Sequence, residues 1–159
     1  MKMTQTFIRA IQSIVPKSNF ITYSKLGSYG RLGNQMFQIA AVIGIAKSRG
    51  IKTKFPKWMC TYEHIHFSQF FKHKIDETLD ASLIKHRYKE PRFEYSQLPK
   101  YNEPVDLQGY YQSDKYFQNC IDDIRYYFEP NDSLIQKIQD KYKNELEGNT
   151  CSIHVRRGD

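Results

Sequence analysis

The stretch from Phe20 to Phe55 leaves this chain little choice of architecture. Phe20-Ile21-Thr22-Tyr23-Ser24-Lys25 has the β-branched and aromatic content of a strand. A glycine-rich segment follows, Gly27-Ser28-Tyr29-Gly30-Arg31-Leu32-Gly33, and then Asn34, a residue suited to cap a helix. From Met36 to Ala46 the chain is apolar on nearly every side of a helix, with Gln38 the one interruption. Such a pattern predicts a helix buried all round, not one lying on a surface. Lys47 and Arg49 suit its C-terminal end, and Gly50 suits the left-handed residue that closes a helix. Ile51-Lys52-Thr53-Lys54-Phe55 predicts a second strand, stopped by Pro56. Strand, glycine loop, helix, strand is a βαβ unit, which sets its two strands parallel.

Beyond Pro56 the pattern weakens. His64-Ile65-His66-Phe67 alternates like a strand, Glu77 to Tyr88 suits a short helix, and Pro91, Pro99 and Pro104 punctuate a loop-rich region. Order returns at Val105-Asp106-Leu107-Gln108-Gly109, a short strand and turn. Ser113 suits the cap of a helix with Phe117, Cys120, Ile121, Ile124 and Phe128 on one face, ended by Pro130. Asp132 or Ser133 begins the next, in which Leu134, Ile138, Tyr142 and Leu146 recur every fourth residue, and Gly148 closes it. Thr150 to Val155 predicts a further strand with Cys151, Ile153 and Val155 on one face. Alternating strands and helices make the expected class α/β.

Length and composition bound the function. The chain has 159 residues, 40% hydrophobic and 26% charged, which is one domain's worth of globular sequence. The net charge of +7 favours anionic partners. The basic residues are interspersed with acidic ones, without a run of five or six like charges, so a nucleic-acid footprint is lacking. Cys60, Cys120 and Cys151 are odd in number and contain no C-x-x-C pair, which argues against a disulfide framework or zinc ribbon and for a reducing compartment. No apolar run approaches the roughly 20 residues of a membrane span. Phe7, Ile8, Ile11, Ile14 and Val15 give the N-terminus helical amphipathicity. A packed helix is the plain reading of that pattern and peripheral membrane contact the sharper one.

Two constellations can carry chemistry. Gly30-Arg31-Leu32-Gly33-Asn34-Gln35 lies between a strand and the start of a buried helix. There, free backbone N–H groups, close backbone approach at glycine, and the Arg31 and Asn34 side chains can meet an anion. Its spacing is neither the dinucleotide fingerprint nor a P-loop, and a plain tight turn stays open on pattern alone. His154-Val155-Arg156-Arg157-Gly158-Asp159 also follows a strand, and paired arginines can hold a pyrophosphate through bidentate contacts; an exposed basic turn is the alternative. His64 and His66 could share one strand face, but no carboxylate or thiol joins them or His73 and His86 at metal-ligand spacing, so no metal site is expected. Nucleophilic catalysis has no G-x-S-x-G and no cysteine with an evident base.

Four segments together resemble the alpha-1,2-fucosyltransferase family, glycosyltransferase family 11. They are Gly30-Arg31-Leu32-Gly33-Asn34-Gln35-Met36-Phe37-Gln38, Glu90-Pro91-Arg92-Phe93-Glu94-Tyr95, Leu107 through Phe117, and Ser152 through Asp159. The resemblance runs from about residue 20 to residue 159. It implies inverting transfer of fucose from the donor GDP-fucose to the 2-hydroxyl of a galactose-terminated glycan acceptor, without metal or other cofactor. It also implies a fold similar to one Rossmann-like half of the two-domain GT-B architecture, a parallel sheet flanked by helices. In that reading His154, Arg156 and Arg157 bind the donor, together with Arg31, Gly33 and Asn34 from the facing loop. Arg156 and Arg157 stabilise charge on the departing β-phosphate, and Asp159 is the carboxylate available as base or orienter. Protein O-fucosyltransferases share a similar glycine–Asn–Gln loop and H-x-R-R, and a non-catalytic glycan-binding chain is a further alternative.

The resemblance also divides the chain into an N-terminal amphipathic segment (1–18), an acceptor-side Rossmann-like domain (19–149) and the first strand and loop of a donor-binding domain (150–159). On that division the chain is truncated before the donor-binding half and is expected to be inactive without a complementing C-terminal polypeptide. Animal members of the family are anchored in secretory-pathway (Golgi) membranes, whereas bacterial-type members are cytoplasmic or peripheral. The expectation here leans to the latter.

Overall fold

The computed structural model describes residues 19–155. The amphipathic segment 1–18 and three expected site residues, Arg156, Arg157 and Asp159, lie outside the described residues. The regular elements are β1 (Phe20–Thr22), α1 (Leu32–Arg49), β2 (Lys52–Thr53), β3 (Met59–Cys60), β4 (Ile65–His66), β5 (His86–Lys89), β6 (Val105–Gln108), α2 (Ile121–Tyr127) and α3 (Asp132–Lys141). Four strands form one all-parallel sheet in the order β2-β1-β6-β5, and β3 pairs antiparallel with β4. The class is α/β, with a four-stranded parallel sheet flanked by helices in the manner of a Rossmann-like half.

The βαβ unit forms as its sequence predicts. Ile21 pairs with Thr53 across β1 and β2, and α1 makes the crossover. Every residue of α1 from Gln38 to Ala46 is buried. The helix lies against β1 and β2 and against the turns that carry Tyr116 and Cys120, in one buried cluster with Ile21, Val105, Leu107 and Phe117. Burying each large aliphatic or aromatic side chain contributes about 1.5–3 kcal/mol, which is why an all-apolar helix settles between two layers. Gly44 allows the close approach: a Cβ there would lie 2.2 Å from the carbonyl oxygen of Tyr116. Gly50 closes the helix in the left-handed conformation (φ 64°). The helix begins three residues earlier than Asn34 as its cap predicts. Arg31 occupies the cap position without a side-chain cap, and Asn34 stands in the first turn.

Four expectations change. The segment Glu77–Tyr88 holds only a one-turn 3-10 helix at Ala81–Leu83 and then enters β5, because His86, Arg87, Tyr88 and Lys89 pair residue by residue with β6. The helix expected from Ser113 is broken into short 3-10 turns at Asp114–Tyr116 and Gln118–Cys120, and α2 starts only at Ile121. Phe117 (φ −137°, ψ 13°) leaves helical geometry where the chain docks on Gly44, and the Asn119 side chain donates to the Gly44 carbonyl at 3.1 Å. Helix α3 is capped by Asn131, whose side chain accepts from the Leu134 N–H at 2.8 Å, and it ends before Tyr142 and Leu146. Residues 150–155 form no strand and are exposed: Cys151, Ile153 and Val155 face solvent because no strand among the described residues takes up their backbone.

The crossover from β5 to β6, residues 90–104, contains no helix. It is pinned at the far end of α1, where the Arg49 guanidinium donates to the carbonyls of Leu98 and Pro99. Among the described residues no helix is long and apolar enough to cross a membrane.

Candidate active site

Strand β1 connects outward to β2 on one side and has β6 on the other, so the sheet switches direction between β1 and β6. Open α/β sheets bind ligands outside the carboxyl ends of their strands at such a point. A cleft of about 410 Å³ opens there. Tyr23, Lys25 and Tyr29 reach it from the segment after β1. The end of β5 and its continuation bring Lys89, Glu90, Arg92 and Phe93, and β6 with its turn brings Gln108, Gly109 and Tyr110.

The first wall is Tyr29, at the start of the glycine turn, whereas Arg31, Gly33 and Asn34 do not line the cleft. The turn is held from beneath by two buried amides of α1. Gln35 donates from Nε2 to the Gly30 carbonyl at 2.7 Å, and its Oε1 accepts the indole N–H of Trp58 at 2.7 Å. Gln38 donates from Nε2 to the Tyr29 carbonyl at 3.0 Å and, at 3.5 Å, to that of Gly109. Both glutamines are fully buried. Gly30 has φ +80°, and a Cβ there would strike Asn34 at 2.5 Å, so only glycine fits. One turn later Gly33 differs: among the described residues nothing lies within 4 Å of where its Cβ would stand.

The second wall is organised by Glu90. Its Oε2 accepts the backbone N–H groups of Tyr110 (2.8 Å) and Tyr111 (3.0 Å), and its own N–H donates to the Gln108 carbonyl at 2.7 Å. Tyr111 adopts φ +54° to present its N–H, and a Cβ at Gly109 (φ +149°) would collide with the Glu90 side chain at 2.4 Å. The Tyr23 hydroxyl donates to the Gly109 carbonyl at 2.8 Å, and that of Tyr111 to the Tyr88 carbonyl at 3.3 Å. Burial pushes both phenols well above the ordinary tyrosine range, so they stay neutral donors.

Beneath the first wall lies Asp106, fully buried on β6, whose oxygens accept the Ser24 N–H and hydroxyl, each at 2.7 Å, with Arg87 Nε at 3.7 Å. The carboxylate ties the exit of β1 to the end of β6 and fixes the base of the cleft.

The expected site residues divide into three groups. Arg31, Gly33 and Asn34 stand together at the start of α1, Arg31 exposed and without an ion pair among the described residues. The Asn34 carbonyl accepts from Gln112 Nε2 at 2.5 Å, which joins the glycine turn to the segment after β6. His154 lies in the exposed segment after α3, without a hydrogen bond or ion pair among the described residues. Arg156, Arg157 and Asp159 are outside them. The histidines scatter: His64 takes a left-handed turn (φ 54°) before β4, His73 contacts Glu129, and His86 contacts Glu103. Among the described residues no three His, Cys, Asp or Glu side chains gather as metal ligands.

The pattern reading missed Glu90, Tyr23, Tyr29 and Tyr110 as site residues. Two of them stand in segments that carry the family resemblance, yet their roles depend on β5 lying beside β6, which pattern alone did not predict. No curated protein and no solved structure matches the chain. The profile described as Glycosyl transferase family 11 matches residues 2–159, so the chain belongs to that family of glycosyltransferases.

Proposed function

We propose that this glycosyltransferase moves fucose from GDP-fucose to the 2-hydroxyl of a galactose unit, with inversion at the anomeric carbon. Membership in the family supports a fucosyltransferase. The observation that carries the reading onto this chain is the turn at Gly30–Asn34. It lies at the switch point of the sheet, is pinned by Gln35 and Gln38, and leaves the space beyond Gly33 open for a ligand.

In this reading the unpaired N–H groups at the start of α1, with Arg31 and Asn34, face the donor from one side. His154, Arg156 and Arg157 face it from the other. The acceptor oxygen attacks the anomeric carbon opposite the bond to GDP. That bond breaks, its electron pair goes to the β-phosphate, and the arginines meet the growing charge in the role a divalent ion has in other glycosyltransferases. Asp159 supplies the carboxylate that takes the acceptor proton or orients the arginines.

The test is GDP-fucose turnover with methyl β-galactoside by the protein carrying this chain, with the new linkage read by NMR. Transfer to the 2-hydroxyl is expected, and Arg156→Ala or Arg157→Ala should lower turnover by roughly 10²–10³-fold. Absence of both GDP binding and fucose transfer would overturn the reading.

A further inference from the structure

We propose that the cleft at the carboxyl ends of β1, β5 and β6 binds a pyranoside bearing a negative charge. The sugar ring lies on the Tyr29–Tyr110–Phe93 row, and Lys25 and Lys89 hold the charge. The inference rests on the transferase reading only in making this saccharide the acceptor.

The three rings form a continuous shelf. Tyr110 lies 4.8 Å from Tyr29 and 5.7 Å from Phe93, centroid to centroid. Tyr29 is 41% exposed and Phe93 69%, so apolar ring surface faces water beside a cleft. The interplanar angles of 35° and 24° make the shelf stepped. A flat purine would meet only one ring squarely, whereas a chair-shaped pyranose can lay its C–H face across the step. Those C–H groups meet the electron-rich face of an aromatic ring while the hydroxyls keep their hydrogen bonds at the edge.

The middle ring of the shelf is anchored through its backbone. Glu90 fixes the backbone of Tyr110 and Tyr111 through one oxygen, and Tyr23 fixes Gly109. Glu90 is therefore a positioning residue for the Tyr110 ring, and less ordering is left for binding to impose.

The charge follows from what the rim cations lack. Lys25 and Lys89 line the cleft and make no ion pair among the described residues. Arg92 has Glu94 at 3.9 Å. Glu90 is the one carboxylate in the lining; its Oε2 accepts two backbone N–H groups, and its buried Oε1 has no partner among the described residues and is free to accept a sugar hydroxyl. An uncharged sugar would fill the shelf and leave both ammonium groups unmatched; a carboxylate or phosphate on the sugar would meet them.

The experiment titrates the protein with galacturonate, galactose 6-phosphate and uncharged methyl β-galactoside. Ring contact is read by saturation-transfer NMR, and affinity by calorimetry at low and high salt. The charged sugars should bind roughly fivefold tighter than the neutral one at low salt, an advantage that salt removes. The two charged probes also separate a carboxylate from a phosphate preference. Lys25→Gln with Lys89→Gln should erase the difference between charged and uncharged sugars. Phe93→Ala, at an exposed position, should weaken all three sugars while the thermal midpoint stays put. Equal affinities that neither salt nor the lysine changes move would overturn the charge assignment. Displacement of the sugars by GDP would overturn the saccharide site. Fucose transfer with an unchanged acceptor KM in Phe93→Ala and Lys25→Gln would sink this inference and leave the transferase reading standing. Saccharide binding in the cleft without any transfer would do the reverse.

Discussion

The side-chain carbonyl of Gln35 accepts the indole N–H of Trp58 at 2.7 Å, with both residues buried. The same amide donates to Gly30, so a single side chain couples the glycine turn to an aromatic cluster in which Trp58 stacks on Phe71 at 5.4 Å. Gln35→Leu keeps the volume and removes both bonds. It strands a buried indole N–H and leaves the Gly30 carbonyl without its partner, at a cost of about 2–4 kcal/mol. The midpoint of urea unfolding, followed by the fluorescence of Trp58, should fall accordingly. An unchanged midpoint would mean that the turn does not depend on Gln35.

Two glycines of α1 separate folding from function. At Gly44 a Cβ would meet backbone atoms of Tyr116 and Phe117 at 2.2 and 2.6 Å, and backbone cannot yield as a side-chain tip can. Gly44→Ala should therefore destabilise by about 1–3 kcal/mol or more as the helix is pushed off its outer layer. At Gly33 the space is open, so Gly33→Ala should be neutral or stabilise by up to about 1 kcal/mol through helix propensity. If that space admits the donor, the same substitution should lower fucose transfer. Thermal midpoints and turnover of the two variants give the answer, and a Gly33→Ala enzyme with full activity would count against the donor role of the turn.

What the sequence reveals depends on how local the determinant is. The βαβ unit is legible because its signals lie within the segment itself: apolar Met36–Ala46, then Gly50, then a β-branched run. Strand β6 shows for the same reason. Strand β5 does not, since His86-Arg87-Tyr88-Lys89 holds one large apolar residue and becomes a strand only by pairing with β6. The helix expected from Ser113 fails because docking on Gly44 outweighs the periodicity of Phe117, Cys120 and Ile124. The site follows the same rule. Its glycine turn is legible as a motif, but Glu90 is not, because its partners Tyr110 and Tyr111 are 20 and 21 residues away and come near only once β5 and β6 align.

Acid should loosen the contact between residues 70–73 and the start of α3. The Glu129 carboxylate accepts Lys72 Nζ at 2.8 Å and faces His73 Nε2 at 3.2 Å, and Lys72 also pairs with Asp132 at 3.0 Å. The backbones join as well: the Lys72 N–H donates to the Glu129 carbonyl at 2.9 Å, and that of Asn131 to Phe70 at 2.9 Å. The bonds from Lys72 and then His73 hold the Glu129 carboxyl below its ordinary value of 4.5. A depressed carboxyl stabilises the fold above its unfolded value and loses that contribution as pH falls through the folded one. The thermal midpoint should thus drop on acidification below 4.5, and Glu129→Gln should drop less steeply over the same range. Parallel curves for the two proteins would refute this account of the contact.

Alkali tests the second wall of the cleft. Tyr23 and Tyr111 are buried phenols whose hydroxyls donate to the carbonyls of Gly109 and Tyr88, and burial raises both above the ordinary value of 10.0. A raised phenol contributes stability that is fully present below the unfolded value and is lost as pH climbs through the folded one. In the folded protein both should therefore resist ionisation past pH 10.0, and their tyrosinate absorbance should appear together with the loss of native circular dichroism. Tyr23→Phe deletes the bond to Gly109, where Gln38 remains only as a long contact of 3.5 Å, and should cost about 1 kcal/mol. It should also remove one phenol from the late step. If the late absorbance in Tyr23→Phe matches that of the parent protein, Tyr23 is not the neutral donor that holds Gly109, and the rigidity ascribed to this wall must come from Glu90 alone.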